Sequence, residues 1–272
     1  MTTITRFADL HCHAHMRSFN WLHKHRRPEE KSRYNPWWIV LSKPGAREEG
    51  RRAAAYSQCD LAKITHGGLK LGFLSLYPLE KGWVTGRKDA SPVVAKNLKK
   101  WLGDTVLNEK ASIALNKFLL FIGNDKKGSL AIRDAIQAIY MKIPLRRINF
   151  VQSHKYDYFK ELKEEKKYLD KTNNKTTESR LYIPFPKRIF FNRRKLSPEQ
   201  KKELEARGAY VLARDGEHVK NAVEHDKTAF VLTIEGANVF NTGDDFESIQ
   251  EKVMEVKGWD TPVFFITFTH HF

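Results

Sequence analysis

Polar and apolar positions alternate in the first patterned segment of the chain. In Phe7-Ala8-Asp9-Leu10-His11-Cys12-His13, Asp9, His11 and His13 share one side and Ala8, Leu10 and Cys12 the other, which is the period of a strand. The segment 67–77, opening Gly67-Gly68 and closed by Pro78, is more uniformly apolar and predicts a buried strand. Segments 227–235 and 262–270 read the same way. Helical signals fall between them. Residues 47–62 have a helical pattern, and Ser91-Pro92 places a cap and a first-turn proline before 93–102. Ile132, Ile136, Ile139 and Ile143 recur at helical spacing up to Pro144. Ser197-Pro198-Glu199-Gln200 is a capping box, and Gly208 sits where a glycine past a helix end belongs. Asp244 with Glu247 opens a last helix whose apolar face is Phe246, Ile249, Val253 and Val256, ending at Gly258. Residues 16–44 read as a loop excursion, and 160–174 as a charge-rich, solvated helix and loop. Strands alternating with helices predict parallel β/α units in an α/β fold, without an internal repeat.

Composition narrows the class. The 272 residues are 41% hydrophobic and 29% charged, an ordinary globular mix. No run approaches the roughly 20 apolar residues of a membrane span. Residues 1–7 lack the apolar core of a signal peptide, and no lipid-anchor signal closes the chain. Two cysteines, Cys12 and Cys59, make no disulfide framework, so the expected compartment is the cytoplasm. The net charge of +16 is spread along the chain. Its densest clusters, 24–27 and 188–195, have no nucleic-acid-binding frame around them, and the reading is a solvated lysine-rich surface.

Chemistry gathers at predicted strand ends: His11 and His13, Glu235, and His270. In a β/α barrel that rim is where active sites are built. Two imidazoles two residues apart on a strand face one way, close enough to share a metal. Asp9, deeper on that face, is a candidate to orient an imidazole. A glutamate ending an apolar strand is costly to bury unless paired or metal-bound. His15, His23 and His25 lie off the pattern and read as loop histidines, and Cys12 as a packing residue. His271 faces away from His270. His66, His154, His218 and His225 have no frame.

The constellation resembles the renal (membrane) dipeptidase family of metal-dependent amidohydrolases. Asp9-Leu10-His11-Cys12-His13 resembles its first-strand metal motif, although His13 stands where the family usually has Asp. Gly67-Gly68 with Phe73-Leu74-Ser75-Leu76-Tyr77 resembles its second strand. Thr233-Ile234-Glu235-Gly236 resembles the strand that ends in the metal-bridging glutamate, and Ile266-Thr267-Phe268-Thr269-His270 the one that ends in the substrate-binding histidine. The resemblance implies a (β/α)8 TIM barrel over 1–272, with 16–44 and 160–194 as insertions. It also implies two zinc ions whose bridging hydroxide attacks a dipeptide carbonyl. His11 and His13 would hold the first metal, Glu235 would bridge both, and His270 would bind substrate and the oxyanion. The sequence ends at Phe272, after the fourth strand of such a barrel, so the N-terminal half and a C-terminal truncation are expected. The partner is then a small peptide, without membrane or nucleic acid, and a homodimer is compatible.

Two other readings stay open. Phosphoesterases of the polymerase-and-histidinol-phosphatase type also open with Asp-Leu-His-x-His, and the basic charge suits a phosphorylated substrate. A non-catalytic basic binding protein derived from such an enzyme is the other.

Overall fold

The computed structural model describes residues 7–24, 26–40, 59–81, 144–182, 198, 205–241 and 243–268. The chain divides into two compact units, Met1–Pro78 with Tyr156–Phe272, and Leu79–Lys155. The first contains the described strands: β1 (Phe7–Cys12), β2 (Trp38–Val40), β3 (Leu69–Leu76), β4 (Thr177–Glu178), β5 (Arg180–Tyr182), β6 (Arg207–Gly208), β7 (Tyr210–Leu212), β8 (Thr228–Glu235) and β9 (Val263–Thr267). The longer helices are α1 (Leu61–Gly67), α2 (Leu145–Gln152), α3 (Tyr158–Asp170), α4 (Gly216–Glu224) and α5 (Phe246–Lys257).

The fold is mixed α/β around a five-stranded sheet in which every pairing is parallel. β3 lies between β1 and β8. The far edge of β8 is shared: Tyr210–Leu212 pairs with its first half, and Val263, Ile266 and Thr267 pair with its second. Parallel neighbours need crossover connections, and α4 and α5 supply them on either side of β8. The first crossover steps toward β3 and the second away from it. Right-handed crossovers in opposite directions need opposite faces of the sheet. The packing agrees. Leu74, Leu76, Phe230, Leu232 and Ile234 form one face, buried with Leu61, Ile64, Phe159, Leu162 and Val256. Leu71, Val211 and Ala229 form the other, packed against Val219 and Ala222 of α4.

Local chemistry sets the helix starts. Asp60, Asp157, Asp215 and Asp245 each accept a hydrogen bond from the backbone N–H three residues on, at 2.7–3.0 Å. The cap of α5 is thus Asp245 rather than Asp244, whose carboxylate pairs with Lys252. Gly258 ends that helix as the sequence predicts. Gly67-Gly68 does not begin a strand. Gly67 ends α1, and Gly68, at φ 80°, is its left-handed cap. Gly208 is no helix cap either. It pairs with Thr177, and an added Cβ would meet Trp37 and Thr65 at 3.0–3.1 Å.

Three other expectations change. The excursion predicted over 16–44 carries regular structure where it is described: Met16–Ser18 and Phe19–His23 are helical, and β2 pairs with β5. The 160–174 segment is solvated on one side only, with Lys160, Lys167, Asp170 and Asn174 exposed. Helix α3 buries Phe159, Leu162, Tyr168 and Leu169 together with Glu161, Glu165 and Lys166. The apolar face of α5 is buried only toward its end: Val256 is buried and Ile249 partly so, whereas Phe246 is 73% exposed and Val253 is exposed as well. Exposed apolar side chains also mark the outer strands, Leu10 on β1 and Phe264 and Phe265 on β9.

In the second unit, α2 starts directly after Pro144, which opens a helix here, and Ile148 and Val151 are fully buried. The helix predicted over 47–62 is described only from Cys59, and there Asp60 is extended and caps a new helix, so Leu61 and Ala62 open α1 instead of ending the predicted helix. The rest of that helix, those predicted over 93–102 and 132–143, the Ser197 capping box apart from Pro198, the basic cluster 188–195, His25, His270 and His271 lie outside the described residues. Among the described residues no helix is long and apolar enough to cross a membrane.

Candidate metal centre

The site forms where β1 and β8 end on either side of β3. From Asp9 to Cys12, β1 advances three residues while β3 advances two, Gly72 to Leu74. The extra residue is a bulge, which breaks the ladder and re-aims the side chains around it. Asp9 Oδ1 accepts the His11 backbone N–H at 3.1 Å, a local turn bond. Asp9 therefore satisfies backbone at the bulge and does not orient an imidazole as expected. Cys12 points into the core, as predicted. Its thiol is held well above the usual range by its hydrogen bond with the Cys59 thiol and by burial, so it stays protonated.

His11 Nε2 lies 3.5 Å from Glu235 Oε2 and His13 Nε2 lies 2.8 Å from the same oxygen. The two rings meet edge-on, 4.8 Å between centroids. One donor atom from each of the three residues falls within 4.8 Å of the others. Glu235 is buried, His13 half-buried and His11 exposed, so the cluster opens to solvent on the His11 side. His13 Nδ1 is 3.0 Å from the Ser75 carbonyl oxygen. A carbonyl only accepts, so Nδ1 carries the proton and a neutral His13 presents its Nε2 lone pair to the Glu235 carboxylate. Two lone pairs 2.8 Å apart need a cation between them, a proton or a metal ion.

The donor set fits a divalent metal. Two imidazoles and a carboxylate, with one side open, match the three-ligand pattern of catalytic sites. Metal–nitrogen bonds of about 2.0–2.1 Å at tetrahedral angles separate donors by about 3.3 Å; the two histidine–glutamate separations, 2.8 and 3.5 Å, bracket that value, and all three donors lie within 4.8 Å of one another. The same donors suit zinc, manganese, iron or nickel, so they do not select zinc. The carbonyl behind His13 is the usual second partner of a ligating imidazole. One carboxylate on a divalent ion leaves a local charge of +1, which favours an anionic or strongly polarised substrate group.

The positions of Glu235 and His13 follow from their neighbours. Glu235 is the last residue of β8. Gly236 follows at φ 88°, and its N–H donates to Thr267 Oγ1 at 2.8 Å, so the chain turns away directly behind the carboxylate. His15, read as a loop histidine, is fully buried, with Nε2 2.6 Å from Glu165 Oε1. Spacing gives no sign of that pair. The Ser75 carbonyl had no signal at all, since a backbone group leaves none in the side-chain sequence.

Comparison of the chain with protein-family models, with curated proteins and with solved structures finds no match.

Proposed function

We propose that the chain carries the metal site of a hydrolase resembling renal dipeptidase, acting on small peptides with zinc as the resident ion. The observation that carries this reading is the convergence of His11, His13 and Glu235 from the ends of β1 and β8. The parallel run β1, β3, β8, β9, in chain order, suits successive staves of a β/α barrel, to which β7 and, on the opposite face of the sheet, α4 are additions.

When bound, a divalent cation there supplies Lewis-acid polarisation of a carbonyl. The remaining work falls to the chain. The Ser75 carbonyl fixes the His13 tautomer, so Nε2 offers its lone pair without reorganisation. Glu235 supplies the negative charge and holds it out of bulk water, where it acts more strongly. The exposed side at His11 is the entry for substrate. In this proposal His270 binds the substrate carbonyl and stabilises its developing oxyanion. If the resemblance to the dipeptidases extends to a second ion, Glu235 would be a ligand of both.

The test is zinc-loaded protein against a panel of dipeptides, with His13→Ala as control. Hydrolysis that the variant loses is the expected result. Inertness on all dipeptides together with phosphate release from phosphoesters would replace the reading with the phosphoesterase. Metal-independent, salt-sensitive nucleic-acid binding without hydrolysis would replace it with a binding role.

A further inference from the structure

We propose that Glu165, on α3, is a positioning residue for the metal site: it clasps the two chain segments that leave β1 and β3 and so fixes the His13 imidazole against Glu235. The inference rests on the metal reading of His11, His13 and Glu235.

Glu165 is fully buried. Oε1 lies 2.6 Å from His15 Nε2, and Oε2 accepts the Tyr77 backbone N–H at 2.9 Å. His15 follows His13 by two residues, and Tyr77 follows Ser75 by two. His13 Nδ1 donates in turn to the Ser75 carbonyl. The contacts close a ring, from Glu165 through His15 to His13, across to Ser75, and through Tyr77 back to Glu165. A shift of either segment changes the distance that sets the imidazole. His15 Nδ1 is buried without a hydrogen-bond partner among the described residues, so the ring's polar tie runs to Glu165 alone. A carboxylate buried this deeply is costly to desolvate, and a leucine would extend the apolar packing of Leu162 and Leu169 at no such cost. A merely structural staple would affect stability. A positioning residue must also affect the metal.

The experiment titrates metal-free full chain with zinc against a chromophoric chelator, and with cobalt for its visible absorption band. Urea melts of each metal-free variant are recorded alongside. Glu165→Ala and His15→Leu are expected to weaken zinc binding about 10–100-fold, the usual effect of losing such a supporting contact, and to shift the cobalt band. His15→Gln, whose amide can donate to Glu165 in place of Nε2, is expected to restore most of the affinity. Should Glu165→Ala fail to fold, the His15 pair decides. Folded variants with lowered stability but unchanged zinc affinity and cobalt band would overturn the clasp and leave the metal reading intact. A wild-type chain that takes up no zinc would overturn both.

Discussion

Glu235 shows how far one side chain can commit a structure. It ends an apolar strand, is buried, and faces two imidazole nitrogens at 2.8 and 3.5 Å. Glu235→Gln removes the charge and keeps the shape, so it should abolish metal uptake while the metal-free protein keeps or gains stability in urea. Behind it, Gly236 at φ 88° occupies a conformation that side chains resist. Gly236→Ala should destabilise the fold by about 1–3 kcal/mol, read from urea melts. His11, His13 and Glu235 were legible in the sequence because residue type, spacing and strand-end position all agree. The role of Asp9 was not, because period-two alternation assumes an unbroken ladder and the bulge breaks it. Neither was His15, whose partner Glu165 lies 150 positions away.

Among the elements, α3 departs most from its sequence pattern. Its run of lysines and glutamates looks like a solvated surface, yet Phe159, Leu162 and Leu169 keep a helical period and face the core. The charges that share this face are paired: Lys24 Nζ with Glu161 at 2.8 Å, and Lys166 Nζ with Asp170 at 2.7 Å and Asp260 at 3.2 Å. Charge content concealed the face because burial depends on partners brought from Lys24 and Asp260, which local pattern does not show. Leu162→Ala should cost about 2–5 kcal/mol, the range for emptying a core leucine site. A loss of only a few tenths in urea melts would instead restore the solvated reading. Strand β8 was legible to within a residue, whereas the predicted start of β3 at Gly67-Gly68 proved to be the end and cap of α1. The aspartate caps of α1, α3, α4 and α5 were not read from the sequence: the pattern over 47–62 runs through Asp60, and α5 opens at Asp245 rather than the expected Asp244.

Across the molecule, pH acts through His23. It is buried, stacked on Phe19 and tilted against Tyr168, with Lys171 Nζ 3.4 Å from Nδ1. Burial, with Lys171, Lys31 and Lys24 nearby, lowers its pKa from 6.5 to about 3, outweighing Glu164 at 3.6 Å. Between these values the unfolded chain binds the proton and the folded chain does not. Stability is therefore fully present above about 6.5 and is lost as pH falls toward 3. The slope should reach at most about 1.4 kcal/mol per pH unit, and His23→Gln should flatten it in melts across that window. The parallel sheet itself was legible from alternating strands and helices. Its strand order was not, because β7 and β9 share one edge of β8 and composition carries no trace of that choice. Everything functional in the account depends on whether the three side chains at the strand ends hold a cation. The most direct measurement is calorimetric titration of metal-free protein with zinc, for the wild type, His13→Ala and Glu235→Gln. Stoichiometric uptake by the wild type and its loss in both variants are expected. No uptake, or uptake that neither substitution alters, would contradict it.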